Sequence, residues 1–114
     1  MRFFKSIEFN CPCCQKAIMD TRFLNMINQA RDLANIPFNI TSGYRCKNYN
    51  NVIGGVNESA HISGLAADIS CENSSNRLII IEALLDTGFK RIGIANNFIH
   101  MDCDDSKKDS IWLY

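Results

Sequence analysis

From Asp20 onward apolar residues recur at three- and four-residue steps, at Phe23, Met26, Ile27, Ala30, Leu33 and Ala34, the spacing of one face of an α-helix. Asp20 or Thr21 supplies its N-cap and Pro37 ends it. The run "FNIT" at 38–41 reads as a short strand entering the turn "SGYR", and "CKNYNNVIGG" as a brief helix closed by Gly54 and Gly55. A loop follows up to Ser63, and "GLAADIS" is then a strand. Ser74 to Thr87 is a second amphipathic helix, with serine or asparagine capping its start and Gly88 its end. "RIGIA" and "FIHMDC" flank Asn96 and Asn97, which predicts a tight hairpin.

Alternation along these strands sorts their side chains. Ala67, Ile69 and Cys71 fall on one side of the first, Ile99, Met101 and Cys103 on one side of the last, and Ile92 and Ile94 likewise in "RIGIA". The opposite side then carries Asp68, His100 and Asp102, with Gly93 leaving it uncrowded. The expected architecture is α+β: one domain over residues 1–114, a small antiparallel sheet with helices packed on one face and the polar groups on the other.

Composition narrows the function. A chain of 114 residues, 46% hydrophobic, fits one modest core. Twelve basic and twelve acidic residues cancel, so the positive footprint needed for nucleic acid or anionic lipid is missing. The longest apolar run, "LIIIEALL", is interrupted by Glu82 and falls short of the ~20 residues of a membrane span. The start "MRFFKSIEF" has neither a sustained apolar stretch nor a small-residue cleavage site, so no secretion signal is read there. Six cysteines are too few for a disulfide-built scaffold and leave the redox compartment open. "CPCC" at 11–14 would need Cys46 to complete a soft metal site, and free or partly buried thiols are the simpler reading.

The chemistry concentrates in "NESAHISGLAADIS". Asp68 lies among alanines and an isoleucine, where burying an unpaired carboxylate is costly. A divalent cation held by Asp68 and the only two histidines, His61 and His100, would offset that cost and match a three-ligand zinc site with one position open. An ion pair from Asp68 to Arg45 or Arg91, with both histidines merely hydrogen-bonded, accounts for the same residues.

The series "TSGYRC…NNVIGGV", "SAHISGLAADI" and "RIGIANNFIHMD…W" resembles the zinc D-alanyl-D-alanine peptidases, in the short form found in phage genomes, from about Phe9 to Tyr114. The resemblance implies that His61, Asp68 and His100 bind zinc, that Arg45 contacts a substrate carboxylate or the developing oxyanion, and that Ser59 lies on the substrate side. It implies a peptidoglycan stem peptide as substrate, cut at a D-amino-acid linkage in the cell wall, periplasm or from a virion. A monomer without nucleic-acid or membrane partners is expected. Many relatives carry Glu or Asp three residues before the last histidine, where this chain has Asn97. Asp102 is the replacement candidate, as general base or as the group that orients His100. Trp112 and Tyr114 are placed at the edge of the site. Two rival readings remain: a catalytically inactive zinc-containing binder of peptidoglycan or protein, and a redox or metal-storage protein built on "CPCC".

Overall fold

The computed structural model describes residues 3–114; Met1 and Arg2, the first two residues of "MRFFKSIEF", lie outside the described residues. A 3-10 turn at Ser6–Phe9 leads to α1 (Thr21–Ala34), β1 (Ile40–Ser42), α2 (Lys47–Val52), β2 (Ala66–Ser70), α3 (Ser74–Thr87), β3 (Arg91–Ile94), β4 (Phe98–Asp102) and β5 (Ser110–Leu113). The Asp20 carboxylate accepts the Phe23 N–H and caps α1, which ends at Asn35 in the left-handed conformation, two residues before Pro37. Asn73 caps α3 through the N–H groups of Ser75 and Asn76, and Gly88 closes it.

The five strands form one sheet in the order β1-β2-β4-β3-β5. β1–β2, β2–β4 and β3–β4 are antiparallel, as expected. The fifth strand was not foreseen, and it joins β3 in parallel, so the sheet is mixed. β4 ends and β5 begins in one row, since Asp102 and Ser110 both stand opposite Arg91, so the charged segment between them only passes the end of β3 to reach its far edge.

Ala67 and Ile69 of β2, Ile92 of β3, and Ile99 and Met101 of β4 enter one apolar cluster with Phe23, Ile27 and Ala30 of α1 and Ile80, Ala83 and Leu84 of α3. Phe23 meets Phe89 edge-on, with ring centroids 5.8 Å apart. Each fully buried side chain of this size contributes roughly 1.5–3 kcal/mol relative to exposure. Leu33, assigned by periodicity to the buried stripe, is exposed instead, as are Leu78 and Leu85 of α3. No helix among the described residues is long and apolar enough to cross a membrane.

The register fixes what lies on the polar rows. Asp68, His100, Gly93 and Trp112 stand opposite one another across β2, β4, β3 and β5, and Ala66, Asp102, Arg91 and Ser110 form a second row. Gly93 does not leave its surface open, contrary to the sequence expectation. A Cβ there would come within 2.7 Å of the Trp112 ring and 2.6 Å of Tyr114; the missing side chain is what lets the C-terminal aromatics lie over the sheet.

Candidate metal centre

His61, Asp68 and His100 are all buried, and one ligand atom from each lies within 4.8 Å of the others. β2 and β4 deliver Asp68 and His100 as register partners. His61 comes from the preceding loop, where its carbonyl accepts the Arg45 N–H and its own N–H donates to the Ser59 hydroxyl at 3.2 Å. Ser59 is therefore buried behind His61 while it also lines the cleft.

The hydrogen bonds decide which ring nitrogens face inward. His61 Nδ1 lies 2.7 Å from the Gly43 carbonyl oxygen, which accepts only, so Nδ1 carries the proton and Nε2 presents its lone pair. That lone pair faces the Asp68 carboxylate at 3.3 Å. His100 is held between two carboxylates, with Nδ1 2.9 Å from Asp68 and Nε2 2.7 Å from Asp102. Three electron-rich atoms thus converge on one point that calls for positive charge. Two ligands of a tetrahedral zinc bonded at ~2.0–2.1 Å stand ~3.3 Å apart, so the donor set fits the ion in both chemistry and spacing.

Titration reflects the same demand. Burial alone would push the Asp68 carboxyl up, but hydrogen bonds and charge from His100 and His61 hold it well below the usual carboxylate range. Burial works against protonated His100, yet Asp102 and Asp68 outweigh it and raise that imidazole above its ordinary value. Asp102, also buried, is lowered against its desolvation by His100, the Asp104 N–H and Arg91.

Both ion-pair candidates for Asp68 have defined places. Arg45 approaches Asp68 at 3.6 Å and is steadied by Ser42 at 3.2 Å and by the buried Asn50 at 3.3 Å. Arg91 goes to Asp102 instead, Nε to Oδ1 at 2.8 Å, because the β3–β4 register sets these two residues opposite each other. That pairing was readable from the two-residue hairpin, whose residue numbers match Arg91 with Asp102. Asn97 sits exposed in the hairpin turn and contributes its carbonyl to the Cys71 N–H.

Around these groups lies a cleft of about 450 Å³ that includes Arg45, Ser59, His61, Asp68, His100 and Asp102. Trp112 and Tyr114 form part of its wall, and Trp112 lies 5.4 Å from the His100 ring, centroid to centroid. The Arg91 guanidinium lies 4.9 Å above the Trp112 ring. Sequence reasoning offered Arg91 as a partner of Asp68 rather than of Asp102, and did not place the Gly43 carbonyl beside the site.

No curated protein matches the chain. A family model described as Peptidase M15 matches residues 3–102, which takes in Arg45, Ser59, His61, Asp68, His100 and Asp102 and stops before β5. Peptidases of this family are zinc-dependent metallopeptidases, and the His61, Asp68 and His100 group supplies the donors such an ion needs. With 100 of its 114 residues inside the match, the chain belongs to the zinc D-Ala-D-Ala peptidase family M15.

Proposed function

We propose that this protein hydrolyses peptide bonds involving D-amino acids in the stem peptides of bacterial peptidoglycan, acting at the cell wall as a monomer with zinc on His61, Asp68 and His100. The observation that carries the reading is the convergence of those three buried donors beside Arg45 in one open cleft of an M15 chain. Zinc bound there supplies Lewis-acid polarisation of the scissile carbonyl and lowers the pKa of its water toward ~7.

The chain's own residues do the rest. Arg45 is only lightly tethered, by contacts of 3.2 to 3.6 Å, so its planar fork is available to grip a substrate carboxylate with paired hydrogen bonds. Ser59 holds the His61 backbone and lines the substrate side. Asp102 orients His100: its oxygens already accept from His100, Arg91 and the Asp104 N–H, and a carboxylate so supplied with donors is a weak proton acceptor. Trp112 and Tyr114 offer an apolar wall against which a peptide can lie.

Incubation with purified peptidoglycan, followed by mass analysis of the soluble and residual peptides, tests this reading. Zinc-dependent release of D-alanine or of separated stem peptides is expected. Binding to the sacculus with no change in peptide masses would favour an inactive binder and overturn the proposal.

A further inference from the structure

A second set of soft donors lies away from the cleft. Cys11, Cys14 and Cys46 bring their sulfurs within 4.8 Å of one another although 31 residues lie between the second and the third. Cys11 and Cys46 stand 3.7 Å apart. Two thiolates sharing a tetrahedral zinc at ~2.3 Å are separated by ~3.8 Å, whereas a disulfide requires about 2.05 Å. All six cysteines of the chain are free thiols. The exposed Cys13 lies between Cys11 and Cys14 in the same loop.

The backbone around the cluster is arranged for sulfur carrying negative charge. The loop 11–16 is closed by Cys11 N–H to the Lys16 carbonyl and Gln15 N–H to the Cys11 carbonyl, with Gln15 in the left-handed conformation. This curls "CPCC" around its first sulfur. The Cys46 N–H points at Cys11 Sγ at 3.5 Å, and the Tyr49 N–H at Cys46 Sγ at 3.4 Å. Amide N–H groups aimed at sulfur stabilise thiolate over thiol.

The geometry points to a structural metal site in which Cys11, Cys14 and Cys46 bind a thiophilic divalent ion of the zinc class. Binding converts the thiols to thiolates and releases their protons to solvent. The ion would clamp the N-terminal loop to the segment that begins at Gly43. That segment supplies the carbonyl on His61 and carries Arg45, and it is otherwise fastened to the loop by Tyr44 N–H to the Phe9 carbonyl. The two groups share no ligand, so metal can be lost from one and kept by the other.

Full-length metal-free protein, prepared under reducing conditions, is titrated with Co²⁺ and followed by absorption. Two equivalents are expected to bind, one of them producing a sulfur-to-cobalt charge-transfer band. Asp68→Ala should lose one equivalent and keep that band, while Cys46→Ser and Cys14→Ser should each lose the band and keep the other equivalent. Should the serine variants fail to fold, titration of zinc-loaded wild-type protein with a mercurial reagent reads the same point through release of one zinc equivalent. Absence of the band, its persistence in Cys46→Ser, no mercurial-released zinc, or a mass showing a disulfide within this cluster would overturn the proposal.

Discussion

Asp68 places both histidines and an arginine on two carboxylate oxygens: Oδ1 faces His61 and His100, and Oδ2 faces Arg45. One oxygen therefore serves the proposed ion while the other restrains the proposed substrate-binding residue. Arg45→Lys keeps the charge but loses the fork. Hydrogen bonds to charged groups are worth ~1.5–3 kcal/mol, so kcat/KM should fall roughly 10- to 100-fold, mainly through KM, with zinc content unchanged. Steady-state kinetics on a stem peptide, paired with metal analysis, checks this. For Asp102→Asn, loss of the orienting carboxylate should weaken zinc binding about 10- to 100-fold, and activity should recover when zinc is raised. Lost activity at unchanged zinc affinity would instead make Asp102 the base. His61, Asp68 and His100 were legible because few residue types ligate zinc and the motifs are local. The Gly43 carbonyl was not, since any residue carries a carbonyl and only the fold brings this one to His61.

At the level of elements, α3 was readable to its end residues because Asn73 and Gly88 punctuate it chemically at both ends. The β3–β4 hairpin was readable because its turn is two residues long, closed by Ala95 N–H to the Phe98 carbonyl. β1 starts two residues later than "FNIT" predicts, at Ile40, since the pairing available from β2 sets its limits rather than its own composition. β5 escaped notice because its four residues form too short an alternating run and its partner, β3, is not its neighbour in sequence. Its seating depends on Gly93. Gly93→Ala should drive the Trp112 and Tyr114 rings off the sheet at a cost of about 1–3 kcal/mol, seen as a lower denaturation midpoint. Trp112 is the chain's single tryptophan, so its emission should shift to the red in the same variant. An unshifted spectrum would mean that the rings adapt without leaving.

For the whole molecule, the core packs α1 and α3 against one side of the sheet while charged groups accumulate among the alternate residues, which links folding to protonation and to metal. In metal-free protein His100 titrates above its ordinary value, so its contribution to stability is complete below ~6.5 and disappears as pH rises through the raised value. Metal binding needs an unprotonated Nδ1 and therefore grows stronger over the same interval. The difference in Tm between zinc-loaded and chelated protein should accordingly widen as pH rises from ~6.5 through the raised His100 value, reaching roughly 10–20 °C when free zinc is ~100 times its Kd. A gap that narrowed with rising pH would contradict this linkage. The central claim is that His61, Asp68 and His100 hold the catalytic zinc, and the most direct measurement is zinc per chain, with activity on peptidoglycan, in the wild type and in Asp68→Ala. The account predicts one fewer zinc equivalent and no hydrolysis in the variant. Unchanged zinc content, or hydrolysis that survives the substitution, would contradict it.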